Sequence, residues 1–219
     1  MFHRLILAHL VGDFVLQNRW LVRRKSAFSG LALHVGLVGL AMLPVMWNQL
    51  AGWWPWLLVI LLFHGLTDWA KMRLEPRLPL PPIIPFLADQ AIHVLTIAIV
   101  VTLSNPGGLV LTLDETESIW WIASVYIIAT SGVSIALPLW LDPPSLMSRP
   151  PAPRLTLVVA SALALTLAWR GLPLLIPVVG LGLYQGVARR LAQAPLTPTF
   201  AVEFLSAVVV AACLGWGLT

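Results

Sequence analysis

Apolar residues fill most of this chain in long, nearly unbroken stretches divided by short polar joints, a pattern of buried or lipid-facing helices rather than of one-sided helices or alternating strands. Stretches of membrane-spanning length fall at about 3–20, 29–47, 54–72, 86–104, 118–139, 155–170, 172–190 and 198–217. They predict an all-α polytopic transmembrane helical bundle of about eight spans. The number becomes seven if residues 155–190, divided only at Arg170-Gly171 and kinked by Pro173 and Pro177, form one broken hairpin. The first stretch is the least apolar, with His9, Asp13 and Gln17 inside it. Those polar residues, and the lack of a small-x-small cleavage site after them, mark it as a mature helix rather than a secretory signal. Proline-rich connectors at 79–85 and 143–153 break helix firmly.

Composition agrees with the pattern. Of 219 residues 59% are hydrophobic and 10% charged, against about 45–50% and about 25% in an ordinary soluble domain. The single cysteine, Cys213, cannot form an intramolecular disulfide. A net charge of +4 and a pI near 10.0 resemble a nucleic-acid binder, so the placement of the positive charges decides. With the N-terminus outside, the cytoplasmic joints hold Arg19, Arg23, Arg24 and Lys25, then Lys71, Arg73 and Arg77, then Arg149 and Arg154, then Arg189 and Arg190. Only Arg4 and Arg170 remain outside, as the positive-inside rule requires. The basic residues therefore set topology, both termini are expected on the non-cytoplasmic side, and the expected partners are membrane lipids and other membrane-protein subunits, with no nucleic acid.

Against this apolar background the polar residues inside the spans carry the chemistry. Asp13, Asp68, Asp89 and Glu203 lie within spans, as do His9, His34, His64 and His93. A charge at a helix centre costs about 2.5–3.5 kcal/mol on insertion scales, so such residues should face the bundle interior. His9 and Asp13, His64 and Asp68, and Asp89 and His93 are each four apart, which puts every pair on one helix face. Gln17, Lys71 and Thr96 extend the three stripes by a turn. The topology from loop charges brings all seven His and Asp residues to the cytoplasmic half of the first four helices. A shift of 55 positions carries His9 to His64, Asp13 to Asp68, His34 to Asp89 and Phe14 to Trp69, the mark of a parallel repeat with a site between its halves. Glu203, at the cytoplasmic start of its helix, is expected to pair with Arg189 or Arg190.

The run from Leu5 to Gln17 with His9, Asp13-Phe14 and Gln17, then His34, then His64, Asp68 and Lys71, then Asp89-Gln90 and His93, resembles a bacterial integral-membrane family catalogued only as a domain of unknown function. The resemblance covers about residues 1–105 and implies a bacterial inner-membrane location, with no activity to carry over. Two parts follow: residues 1–105 as a four-helix membrane unit with the His/Asp cluster, and 106–219 as a second four-helix unit acting as scaffold or partner surface.

Imidazole plus carboxylate on facing helices suits a divalent Zn, Fe or Mn ion. The candidate ligands are His9, Asp13, His34, His64, Asp68, Asp89 and His93. A centre of this kind would act on a lipid or membrane-embedded substrate, with Asp13 and Asp68 in the chemistry, Lys71 on an anionic headgroup, and Gln17 or Gln90 positioning it. Three alternatives use the same residues differently: a proton- or cation-coupled transporter or channel component, in which the carboxylates change charge; a haem or chlorophyll-type pigment held by a histidine; and a non-catalytic subunit in which the cluster is polar glue between helices.

Overall fold

The computed structural model describes residues 1–109, 115–141, 151–171 and 198–218, and among them every regular element is helical. Helices α1 (Phe2–Leu10), α2 (Arg19–Arg24), α3 (Phe28–Met46), α4 (Leu50–Leu74), α5 (Ile83–Ser104), α6 (Glu115–Ile127), α7 (Val133–Leu141), α8 (Pro151–Trp169) and α9 (Pro198–Trp216) follow in order. Among the described residues three helical runs are long and apolar enough to cross a membrane, Phe28–Arg77, Ile83–Ser104 and Glu117–Leu141, with shorter apolar helices at Val158–Trp169 and Val202–Trp216. The first of these runs is two helices, because a 3₁₀ turn at Trp47–Gln49 folds α4 back along α3. At about 1.5 Å per residue the 25 residues of α4 exceed the roughly 30 Å hydrocarbon core. The stretch at 172–190 lies outside the described residues.

The first stretch departs from the single helix expected over 3–20. Helix α1 continues through a π-helical turn at Val11–Leu16 and then stops, with Gln17 extended at ψ 91°. Asn18 begins a new helix by accepting a hydrogen bond from the Leu21 amide at 2.9 Å. The physical reason is local: an asparagine side chain satisfies a free N-terminal amide of α2, a cap with no equivalent inside a continuous helix.

The chain divides into two compact units, Met1–Ser124 and Val125–Thr219. In the first, α1, α3, α4 and α5 form a closed ring in which each helix packs on two neighbours: α1 on α3 and α5, and α4 on α3 and α5. Neighbours are antiparallel. Between α3 and α4 His34 meets His64 while Gly39 faces Leu61, and between α1 and α5 His9 meets His93 while Phe14 meets Phe86. The shift of 55 positions thus relates helices that stand diagonally across the ring, α1 to α4 and α3 to α5. Gly12 lets α1 lie close to α3, since a Cβ there would come within 2.6 Å of Val38 Cγ2. At the N-terminal end of α1, Glu117 of α6 receives the terminal ammonium at 3.2 Å and Arg4 Nε at 3.0 Å.

Among the described residues of the second unit α8 and α9 make the most extensive helix pair, with Ala160, Ala164, Leu165 and Ala168 buried on one helix and Ala207, Val208, Ala211 and Ala212 on the other. Tyr126 and Thr166 hydroxyls meet at 2.6 Å, tying α6 to α8. Glu203 of α9 is fully buried, and its expected partners Arg189 and Arg190 lie outside the described residues.

Candidate metal centre

The ring of α1, α3, α4 and α5 encloses seven buried polar side chains. His9 comes from α1, Asp13 from the π turn, His34 from α3, His64 and Asp68 from α4, and Asp89 and His93 from α5. Each is buried in an interior that otherwise consists of residues such as Leu5, Val38, Met42, Ile60 and Ile97. The four-residue spacings place each helical pair on the inward face. Asp13 falls in the π turn, a helical irregularity frequent at functional sites.

The contacts form a connected chain. His34 Nε2 lies 3.2 Å from Asp13 Oδ1, 3.1 Å from Asp68 Oδ2 and 3.0 Å from His64 Nε2. His64 Nε2 lies 3.4 Å from Asp13 Oδ1 and 3.5 Å from Asp68 Oδ2. An imidazole nitrogen carries one proton at most, so the single Nε2 of His34 cannot satisfy two carboxylates and a second imidazole at once. On the opposite side Asp13 Oδ2 accepts from Gln90 Nε2 at 3.2 Å, and Gln90 Oε1 lies 3.3 Å from His9 Nε2. Asp13 therefore turns one oxygen toward His34 and His64 and the other toward Gln90 and α5. His93 Nε2 lies 3.4 Å from Asp89 Oδ1, and the His93 ring stacks on His64 with centroids 4.1 Å apart.

Three overlapping groups have ligand atoms all within 4.8 Å of one another: His34, His64 and Asp68; His9, Asp13 and His64; and Asp13, Asp89 and His93. His64 joins the first group to the second and Asp13 joins the second to the third. Among the described residues, seven buried side-chain N or O atoms lack a hydrogen bond of good geometry, and six of them are in this cluster: His9 Nδ1, Asp13 Oδ1, His34 Nδ1, Asp68 Oδ2, Asp89 Oδ1 and His93 Nε2. Buried polar atoms are otherwise almost always satisfied, so their concentration here singles out the cluster, although Asp13 Oδ1 and Asp68 Oδ2 are within ion-pair distance of His34 and Asp68 Oδ2 also of Lys25. A cavity of about 10 Å³ bordered by His9, His64 and His93 is just large enough for one water.

Two lysines reach the edge of the cluster. Lys71 Nζ donates to Asp89 Oδ2 at 3.1 Å. Lys25 Nζ lies 2.8 Å from Asp68 Oδ2 and donates to Gln17 Oε1 at 2.8 Å. Sequence reasoning treated Lys25 only as a topology charge. Its role follows from the chain reversal after Gln17, for which the one signal in sequence is Asn18 as a helix cap. Of the four residues expected to do chemistry, Asp13 and Asp68 lie inside the cluster and Lys71 at its edge, while Gln17 stands one contact away behind Lys25.

These features define a class, an all-helical protein with membrane-length helices and buried His/Asp groups able to hold a metal ion. Residues 1–121, more than half of the chain, match the family model described as Protein of unknown function (DUF3307), and the chain belongs to that family. The match runs past the expected limit of 105 and takes in Glu117, Trp120 and Trp121 of α6. No curated protein and no solved structure matches the chain.

Proposed function

We propose that the first unit carries an intramembrane centre for one or two divalent ions, Zn, Fe or Mn, and uses it to hydrolyse a lipid or membrane-embedded substrate. The observation that carries this reading is the convergence of seven buried His and Asp side chains from four helices and the π turn, in three overlapping groups whose ligand atoms lie within 4.8 Å of one another. His34, His64 and Asp68 would hold one ion and Asp89 and His93 a second, with Asp13 presenting one carboxylate oxygen to each side and His9 completing the middle. A bound divalent ion lowers the pKa of its water to about 7, which supplies a nucleophile at neutral pH. Gln90 would orient Asp13 and His9 through its two amide atoms. Lys25 and Lys71 would balance the charge of Asp68 and Asp89, and Gln17 would keep Lys25 in place. The distribution of basic residues supports a bacterial inner-membrane protein with both termini on the non-cytoplasmic side and this centre near the cytoplasmic face.

A second reading, proton- or cation-coupled transport, is favoured by the unbroken contact chain from Lys25 through Asp68, His34 and Asp13 to His64. Elemental analysis of the purified full-length protein separates the two. The hydrolytic reading expects near-stoichiometric metal that falls sharply in Asp68→Asn and His93→Ala variants of unchanged helical content. A metal-free protein, after purification without chelator and reloading with Zn, Fe or Mn, overturns it in favour of the relay.

A further inference from the structure

Outside the ring, the splayed faces of α4 and α5 leave a cavity of about 420 Å³. Its wall on α4 is the stripe Phe63, Leu66, Thr67, Ala70, Lys71, Leu74 and Glu75, a continuous helical face by spacing. On α5 it is Ile84, Pro85, Ala88, Asp89 and Ile92, and Leu78 and Leu80 close one end. Ala70 and Ala88 give the groove its depth, while Leu66, Leu74, Ile84 and Ile92 stand about half exposed along its flanks. The α4 stripe rises about 18 Å over 12 residues, at about 1.5 Å each. The volume is that of a small-molecule site, and the walls are apolar with few polar groups, as such sites usually are.

The groove and the cluster share Asp89. Its Oδ1 faces His93 inside the ring and its Oδ2 accepts from Lys71, whose ammonium lines the groove. One carboxylate is thus the partition between the two. We propose that this groove seats the acyl chain of an anionic, phosphate-headed membrane lipid and brings its headgroup to Lys71, beside the His/Asp centre. The inference rests on the metal reading in one respect: an Asp89 that gives one oxygen to a cation no longer neutralises Lys71 in full, leaving the Lys71 ammonium to meet an anion, with Glu75 one turn further along α4 as the other charge on the wall. Apolar walls in a bilayer accommodate the chain by shape without selecting it, and the Lys71 charge selects the head. The long lysine stem can lie along Phe86, whose ring is 5.7 Å from Nζ, while the ammonium meets the phosphate.

The test uses full-length protein in nanodiscs doped with phosphatidic acid bearing a diazirine on its acyl chain, and separately with phosphatidylcholine bearing the same chain. Photolabelled peptides are mapped and metal content is measured on the same preparations. The expected result is labelling concentrated on α4 and α5, several-fold stronger for phosphatidic acid. Lys71→Met should remove that preference, and Ala88→Trp should reduce labelling by both lipids with metal content unchanged. Equal labelling by the two lipids, or label spread evenly over the outer helix faces, overturns the proposal. That comparison is made on the unaltered protein and stands whatever the folding of the variants. A headgroup preference in a metal-free protein sinks the metal reading, and with it the part given to Asp89, but keeps the groove and Lys71, whereas a metal-loaded protein with no preference does the reverse.

Discussion

The two units bury opposite kinds of material. In Val125–Thr219 the described interior of α8 and α9 is mainly alanine, with Leu165, Phe204 and Val208 beside it and Ser161 and Glu203 as polar exceptions. In Met1–Ser124 the middle of the ring is four histidines and three aspartates. Between helices in lipid, burial of apolar surface supplies little driving force, and close packing of small residues takes its place. The second unit uses that solution. The first gives up packing at its centre and holds polar groups whose desolvation is offset by one another, by Lys25, Lys71 and Gln90 at the edge, and by whatever they bind. One interior depends on shape and the other on charge, so the same class of substitution should act differently in each.

The largest effect is expected at Asp13. Its carboxylate faces His34, His64 and Gln90, so Asp13→Ala strands several buried polar groups and should cost about 3–5 kcal/mol, the range for breaking a buried ion pair on one side. Reversible unfolding in mixed micelles measures it, and elemental analysis should show the metal lost as well. A neutral Asp13→Ala would mean that the cluster is not held by charge. The counterpart in the second unit is Gly215. A Cβ there would collide with the Leu165 carbonyl and come within 2.9 Å of Ala168 Cβ. Gly215→Ala should therefore cost about 1–3 kcal/mol by overpacking, with metal content unchanged. Metal loss in that variant would erase the division of labour between the units.

Much of this arrangement was legible in the chain. Helices α3, α4, α5 and α9 follow from apolar length, and the four-residue spacings of His9 with Asp13, His64 with Asp68 and Asp89 with His93 fix a common inward face within each helix. What spacing cannot encode is which helices become neighbours. That α1 meets α5 through His9 and Gln90, and α3 meets α4 through His34 and His64, depends on ring closure, a tertiary property. The break at Gln17 escaped a reading by hydropathy because the sequence on both sides of it is equally compatible with helix. Lys25 was hidden by the same break: only the reversal at Asn18 carries it back to Asp68. The groove was invisible for a related reason, since the α4 stripe from Phe63 to Glu75 is lipid-facing on hydropathy alone and becomes a cavity wall only beside Ala88 of α5.

The smallest expected effect concerns how far the charge-held region extends. Gln17 touches none of the seven cluster residues in the contacts above; it accepts one hydrogen bond from Lys25, which pairs with Asp68. Gln17→Ala should therefore cost only about 0.5–1.5 kcal/mol, the net value of one hydrogen bond. The informative quantity is its coupling to Asp68→Asn in a double-mutant cycle by unfolding in micelles. If Gln17 acts by holding Lys25 against Asp68, its removal matters less once the Asp68 charge is gone, and the coupling should reach about 0.5 kcal/mol or more, as for residues in one network. Strict additivity would show that Lys25 is held independently of Gln17, and the charge-held interior would then end at Asp68 rather than reach the extended segment at Gln17.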